Sequence, residues 1–273
     1  MATKNAVVTG ANQGIGLEIV RLIAQRPDVR TVLTARSEER GRAALAKLQA
    51  ELPPAAAERV CFAQLDITSR DSIEGFRQWA ERELRQVDVL INNAGFAYKG
   101  DTWGVEEAQT TINTNYAGTA SVCEALNDLV PDGGRIVNVC SSAGKLSIIK
   151  DAALRDRWEH ATSRAQLDEL THEFIEGVRS DTYAQKGWPR SMYGVSKLAE
   201  CQYSRILADE LRPRRIAVAA VCPGWCNTAM ASFRGPRPAS EGADTPVWLA
   251  FQPDSEWEWI TGRFWKDRKE EPW

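Results

Sequence analysis

Apolar, strand-like runs alternate with amphipathic helical runs along almost the whole of this 273-residue chain. Such alternation is typical of a parallel sheet with helices on both faces, because two parallel strands must be joined by a long crossover connection. Seven strands are predicted, at residues 5–8, 31–35, 60–65, 87–92, 135–140, 216–222 and 262–265. We therefore expect one doubly wound α/β domain over residues 1–273, with a parallel seven-stranded sheet in the order 3-2-1-4-5-6-7.

A glycine-rich turn lies where the first strand meets the first helix. Gly10, Gly14 and Gly16 occur there within T-G-A-N-Q-G-I-G. Glycine permits positive φ and a close approach of phosphate groups, and the start of a helix attracts negative charge. The pattern alone also fits an ordinary tight turn. Its place between a strand and a helix favours a dinucleotide-binding Rossmann domain.

Tyr193 and Lys197 lie four residues apart in S-M-Y-G-V-S-K, within a helix predicted over residues 192–211. This spacing places both side chains on one face of the helix. A free tyrosine has a pKa of about 10, and a neighbouring ammonium lowers that pKa because it stabilises the phenolate. Such a phenol can donate a proton to a carbonyl group that is receiving hydride. The pair and the glycine-rich turn together predict a nicotinamide-dependent oxidoreductase.

Further motifs occur in an order that resembles the short-chain dehydrogenase/reductase family. They are N-N-A-G at 92–95, T-N-Y-A-G-T around Asn115, V-N-V-C-S-S-A-G at 137–144, P-G-W-C-N-T at 223–228 and Y-G-V-S-K at 193–197. The resemblance implies four catalytic residues, which are Ser141, Tyr193, Lys197 and Asn115. The family's serine lies three residues before the glycine of its motif, which selects Ser141 over the adjacent Ser142.

The family resemblance also implies a role for each of these residues. Ser141 would orient the substrate carbonyl and stabilise its developing negative charge, and Lys197 would also bind the nicotinamide ribose. Asn115 would kink its helix and hold a water that passes protons to Lys197. Two structural alternatives remain, a turn serine at Ser141 and a satisfied buried amide at Asn115.

The end of the second strand predicts which nicotinamide cofactor binds. Members that use NAD usually carry an acidic residue there, whereas this chain has Ala35 followed by Arg36. A guanidinium can bind a 2′-phosphate, so we expect NADP(H), with Arg40 sharing that role. Arg36 as a solvated surface charge is the alternative. The residues expected at the cofactor are Gly10, Asn12, Gln13, Gly14, Ile15, Gly16, Arg36, Leu65, Asp66, Ile67, Asn92, Ala94, Gly95, Tyr193, Lys197, Pro223, Gly224 and Thr228.

About 50 residues separate Ser141 from Tyr193, which predicts a helical insertion over about 148–190. The insertion and the run K-G-W-P before the tyrosine resemble the monomeric, NADPH-dependent carbonyl reductases. That resemblance implies a monomer that reduces quinones, aromatic aldehydes and ketones, with a loose match at 96–99 to a glutathione-conjugate site. A flap without substrate contacts is the alternative for the insertion. The expected substrate residues are Ser142, Ala143, Trp225 and Met230.

Composition adds several expectations about partners and location. The net charge of −3 gives no reason to expect nucleic acid or an anionic membrane as a partner. The six cysteines form no C-x-x-C pair, so we expect reduced thiols, no metal site and a cytoplasmic protein.

Two other functions fit the same motifs. One is an alcohol or steroid dehydrogenase that runs the reaction oxidatively with NADP. The other is a regulator that senses NADPH without turnover. The sensor is disfavoured because this chain retains all four catalytic residues.

Overall fold

One mixed sheet forms the centre of the computed structural model, which describes residues 4–273. Its strands are β1 (Lys4–Val8), β2 (Val29–Ala35), β3 (Val60–Gln64), β4 (Val89–Asn92), β5 (Arg135–Val139), β6 (Ala217–Cys222), β7 (Phe264–Lys266) and β8 (Lys269–Glu271). They lie in the order β3-β2-β1-β4-β5-β6-β7-β8. The doubly wound α/β fold and the order of the first seven strands are confirmed.

The expectation of seven strands, all parallel, was wrong at one edge of the sheet. The eighth strand, β8, pairs antiparallel with β7. Asp267 and Arg268 between them both have positive φ, at 50° and 57°, as a two-residue hairpin turn requires. The strand itself reads Lys-Glu-Glu, so it carries no apolar alternation from which a strand could have been predicted.

Helices cover both faces of this sheet. They are α1 (Gly14–Ala24), α2 (Glu38–Glu51), α3 (Pro54–Ala57), α4 (Arg70–Glu83), α5 (Val105–Ile112), α6 (Thr119–Leu126), α7 (Ala152–Glu159), α8 (Arg164–Arg179), α9 (Met192–Glu210), α10 (Ala239–Ala250) and α11 (Trp257–Ile260). A π-helical turn, Asn113–Gly118, separates α5 from α6, at the place where the family resemblance implied that Asn115 kinks its helix. Among the helices of residues 4–273, none is both long and apolar enough to cross a membrane.

The strands divide their side chains between two apolar cores, since successive residues of a strand point to opposite faces. On β1, Val7 packs with the helices α4, α5, α6, α8 and α9. The next residue, Val8, packs with α1, α10 and α11 on the other side. Both side chains are fully buried. This two-sided burial explains why the central strands read as continuous apolar runs.

The expected helical insertion forms the two helices α7 and α8, which bring an aromatic cluster of their own. Phe174 on α8 is fully buried. Its ring centroid lies 5.5 Å from that of Trp188 and 6.2 Å from that of Trp103. Because α8 also packs against α5 and α9, the insertion supports the helix that carries Tyr193.

Replacing Phe174 by alanine should lower the free energy of unfolding by about 3–5 kcal/mol, because a buried aromatic side chain leaves a cavity. His172→Ala on the exposed face of the same helix should change it by less than about 0.5 kcal/mol. Urea unfolding of both variants checks this. Equal effects would show that the insertion is not packed as described.

Candidate active site

A cleft of about 1070 Å³ lies at the carboxyl ends of the central strands. Most of the residues predicted to bind the cofactor line it, and these are Gly10, Asn12, Gln13, Gly14, Ile15, Gly16, Arg36, Leu65, Asp66, Ile67, Ala94, Gly95 and Thr228. They come from segments that follow five strands, β1, β2, β3, β4 and β6, and are far apart in sequence. The fold therefore brings these predicted residues together at one site.

The glycine-rich turn is fixed against the loop after β4. Gly10 has φ +61°, and a Cβ atom there would lie 2.7 Å from the Cα of Ala94. The side-chain amide of Asn93 donates hydrogen bonds to the carbonyls of Thr9 and Gly10, at 3.0 and 3.1 Å. Glycine is required at position 10 by both its conformation and this close approach. The turn thus presents the start of α1 to the cleft.

The part of the cleft that follows β2 is basic, because Arg36 and Arg40 line it. Lys99, from the loop after β4, also lines the cleft, as do the acidic residues Glu18 and Asp66. Within residues 4–273, none of the three basic side chains has a carboxylate within 4.0 Å. The nearby Glu38 instead pairs with Arg42 at 2.7 Å. The backbone carbonyl of Arg36 accepts a hydrogen bond from the side chain of Gln64 at 2.9 Å. An anionic group of a ligand would therefore find unpaired cations in this part of the cleft.

Ser141 and Tyr193 come together outside this lining. Ser141 begins the turn after β5, and its hydroxyl accepts a hydrogen bond from the backbone N–H of Ala143 at 3.1 Å. Burial raises the pKa of Tyr193, while Lys197 and a hydrogen bond with Ser141 act in the opposite direction. A Cβ atom on Gly144 would collide with the backbone of Lys197, so this turn lies directly on α9.

Lys197 is buried together with a carboxylate that the sequence analysis did not identify. Its Nζ donates hydrogen bonds to the carbonyl of Val139 at 2.9 Å and to Oε2 of Glu200 at 2.6 Å. The same Nζ lies 6.0 Å from the ring centroid of Tyr193. Burial opposes the charge on Lys197, but Glu200 raises the pKa of the ammonium above its usual value. Burial also raises the pKa of Glu200, to about 7, although Lys197 and Thr119 act against this.

Asn115 lies in the π-helical turn and is fully buried. Its amide donates to the hydroxyl of Ser196 and to the carbonyl of Phe96, both at 2.9 Å, and its Oδ1 accepts from the N–H of Phe96 at 2.7 Å. The side chain therefore ties α9 to the loop after β4. Gly95 is next to this contact, and a Cβ there would lie 3.4 Å from Oδ1 of Asn115 and 3.6 Å from Nζ of Lys197.

Besides Tyr193 and Lys197, three more predicted cofactor residues lie outside the lining of the cleft. The side chain of Asn92 is buried in the sheet, where its amide donates to Oδ1 of Asn138 at 2.8 Å and to Sγ of Cys123 at 3.2 Å. Pro223 and Gly224 belong to the loop after β6, which leads to Thr228. The carbonyl of Pro223 accepts a hydrogen bond from Arg237 at 3.2 Å, so Arg237 stabilises this loop.

Exposed apolar side chains surround the cleft. Met230 and Phe233 line it, and Phe233 is 70 % exposed. Trp225 is 63 % exposed, and Tyr98 is also exposed. Exposed apolar groups that lie close together commonly mark a ligand-binding surface. Met230 was predicted at this site, and Trp225, also predicted, lies outside the lining of the cleft. Phe233 was not predicted, because a single aromatic residue in a polar loop gives no sequence signal.

Ser142 and Ala143, the other predicted substrate residues, follow Ser141 in the same turn. The side chain of Ala143 is exposed. The Oγ of Ser142 is buried and has no hydrogen-bond partner within residues 4–273. Their role at the substrate stays a prediction.

The raised pKa of Glu200 predicts a pH-dependent stability. The folded protein holds a proton on Glu200 up to about pH 7, whereas an ordinary glutamate loses it near 4.5. The unfolded state therefore binds fewer protons in this interval, and the stability of the wild type falls as pH rises from 4.5 to 7. Glu200→Gln removes this loss, so its free energy of unfolding should gain about 2–3 kcal/mol on the wild type across the interval.

Urea unfolding of both proteins at several pH values measures this difference. A constant difference between wild type and variant from pH 4.5 to 7 would mean that Glu200 has an ordinary pKa.

Comparisons with known proteins agree with this geometry. The short chain dehydrogenase family model matches residues 4–153 and 177–238. NADPH carbonyl reductase 1 of Mus musculus is 41% identical over 278 residues, with 98% of each chain covered. NADPH carbonyl reductase 3 of Rattus norvegicus is 41% identical over 258 residues, with 91% of each covered. The structure of salutaridine reductase from Papaver somniferum has a TM-score of 0.86 and 28% identity, covering 97% of this chain and 99% of that one. Motifs, fold and relatives agree, and the chain belongs to the short-chain dehydrogenase/reductase family.

Proposed function

We propose that the chain is an NADPH-dependent carbonyl reductase that converts quinones, aromatic aldehydes and ketones to hydroquinones and alcohols. The observation that carries the proposal is the grouping of Ser141, Tyr193 and Lys197 beside a dinucleotide-sized cleft with a basic part after β2. The relatives named as NADPH carbonyl reductases, which match nearly the full length of the chain, support the same activity.

The residues of the cleft fit NADPH. The glycine-rich turn and the start of α1 offer backbone N–H groups to a pyrophosphate, and Gly10 leaves no side chain in the way. Arg36 and Arg40 offer guanidinium groups to a 2′-phosphate. Thr228 would bind the nicotinamide carboxamide. The cofactor, when bound, supplies the hydride.

The protein's own groups then handle the proton and the carbonyl oxygen. Ser141 donates a hydrogen bond to the substrate carbonyl and so favours negative charge on its oxygen. Tyr193 donates its proton to that oxygen as general acid. Lys197 stabilises the phenolate that remains. Its ammonium is held in place by the hydrogen bonds that it donates to Val139 and Glu200. Asn115 holds the loop after β4 against α9 beside the lysine.

The exposed apolar side chains around the cleft support an aromatic substrate. Trp225, Met230, Phe233 and Tyr98 offer flat or flexible apolar surface to a ring. Ser142 and Ala143 are small and leave room beside Ser141. Glutathione conjugates are a further proposed class of ligand, and residues 96–99 would bind them.

We propose that the protein is a monomer in the cytoplasm. Helix α8 packs on α5 and α9 and so covers faces of these helices that would otherwise be available to a second subunit. All six cysteines are free thiols, as is usual in a reducing compartment.

Tyr193→Phe should lower kcat for NADPH-dependent reduction of a quinone and an aromatic aldehyde by at least about 100-fold, because the general acid is lost. NADPH binding, measured by fluorescence titration, should stay close to that of the wild type. Tyr183→Phe is the matched control, because Tyr183 lies in the aromatic cluster of the insertion. Its activity should be unchanged.

Other outcomes of this experiment would reject parts of the proposal. Equal turnover by the wild type and Tyr193→Phe would mean that another group donates the proton. NADPH binding without turnover by the wild type would favour the sensor.

Arg36→Ala should raise KM for NADPH by about 10- to 100-fold and leave KM for NADH nearly unchanged, because only the phosphate contact is lost. Arg42→Ala, on the same helix as Arg40 but paired with Glu38, should change neither value. Equal losses with both cofactors would show that Arg36 does not select the phosphate.

A further inference from the structure

Glu200 is the only glutamate on α9 apart from Glu210 at the end of the helix, and its side chain is completely buried. One carboxylate oxygen, Oε2, accepts the hydrogen bond from Lys197 at 2.6 Å. The other, Oε1, has no hydrogen-bond partner within residues 4–273. A buried carboxylate with one oxygen paired and the other without a hydrogen bond is costly. Its direct contact with Lys197 suggests that it serves the active site.

The charges of Lys197 and Glu200 act in opposite directions on the pKa of Tyr193. The charge of Lys197 lowers this pKa, while the charge of Glu200 raises it. A carboxylate hydrogen-bonded to the ammonium offsets part of its field at the phenol. Tyr193 therefore meets a partly neutralised lysine rather than a full positive charge.

We propose that Glu200 is a positioning residue for the reductase, which holds the Lys197 ammonium in place and keeps Tyr193 protonated in alkaline solution. Reduction needs the protonated phenol, so Glu200 sets the upper end of the pH range in which the enzyme reduces carbonyl compounds. The inference rests on the proposed function, because it assigns the pH range of that reaction. It leaves the overall equilibrium of the reaction unchanged, since no residue can alter that.

The groups that face the pair from every neighbouring element are few. Cys123 on α6 and Cys140 after β5 approach Glu200, and Cys222 at the end of β6 approaches Tyr193. Burial raises the pKa values of Cys123 and Cys140, so these two thiols stay neutral across the relevant range. Lys197, Glu200 and Cys222 are then the ionisable groups that act on Tyr193, and Glu200 acts more strongly than Cys222.

Glu200→Gln keeps the shape of the side chain and an acceptor for Lys197 but removes the charge. We expect the pKa of Tyr193 to fall by about one unit in this variant. The decline of kcat/KM for quinone reduction at high pH, measured between about pH 8 and 12, should move to lower pH by the same amount. At low pH the two proteins should have similar kcat/KM. Glu210→Gln, at the far end of the same helix, is the matched control and should have the profile of the wild type.

Direct titration of the phenolate absorbance separates this inference from the proposed function. The same titration of Tyr193→Phe is subtracted, so that the difference reports Tyr193 alone, without substrate or cofactor. A lower midpoint for Tyr193 in Glu200→Gln supports the electrostatic role, whether or not the protein reduces a carbonyl compound. If the wild type reduces none of the carbonyl compounds tested, that result counts against the proposed function only.

The inference is overturned if Glu200→Gln and the wild type share one pH profile and one phenolate titration, because Glu200 would then not control Tyr193. Glu200→Leu provides a second variant without the charge, and we expect the same downward shift from it. Failure of both variants to fold would reject the positioning role in favour of a purely structural one.

Discussion

The ammonium of Lys197 is held inside the protein by acceptors on two different elements, the carbonyl of Val139 at the end of β5 and the carboxylate of Glu200 on α9. A buried charge is tolerated only where hydrogen bonds and an opposite charge compensate its lost hydration. The lysine can therefore occupy only one place. Because it links β5 to α9, it also fixes the distance between the turn that carries Ser141 and the helix that carries Tyr193.

The position of the cleft follows from the order of the strands. The sheet is wound in one direction from β1 to β3 and in the other from β1 through β4. The loops after β1 and β4 therefore diverge to opposite faces, and a crevice opens between them. Gly10 and Asn93 close the bottom of this crevice through hydrogen bonds and close backbone contact. The nucleotide site is thus a consequence of topology, and the glycine-rich turn only makes it accessible to phosphate.

The features predicted from the sequence are those that have a local pattern. The order of seven strands and the shared face of Tyr193 and Lys197 were predicted because apolar periodicity and fixed spacings encode them. About half of the cleft lining was predicted from the motifs of the family resemblance. The edge strand β8 was missed because three charged residues carry no periodicity and pair only through the hairpin turn. A kink at Asn115 was expected, but its form as a π-helical turn was not, since Asn115 is held there by contacts with Phe96 and Ser196, which are distant in sequence.

Glu200 shows most clearly what a single sequence does not reveal. A glutamate in a helix is normally expected at the surface, and only the structure brings it to Lys197. Asn92 shows the converse, since its motif predicted a cofactor contact while its side chain binds Asn138 and Cys123 inside the sheet. Side-chain direction at the end of a strand depends on the neighbouring strands, which a motif does not specify.

The most direct test of the account is transfer of an isotopic label from NADPH that carries two deuterium atoms at C4 of the nicotinamide, so that whichever hydrogen is transferred is labelled. After incubation of the full-length protein with this cofactor and an aromatic aldehyde, the alcohol product is analysed by mass spectrometry. The account predicts one deuterium on the carbinol carbon of the alcohol and none without the protein. Alcohol that forms without deuterium at that carbon, or label that is lost to water, would contradict direct hydride transfer within this site.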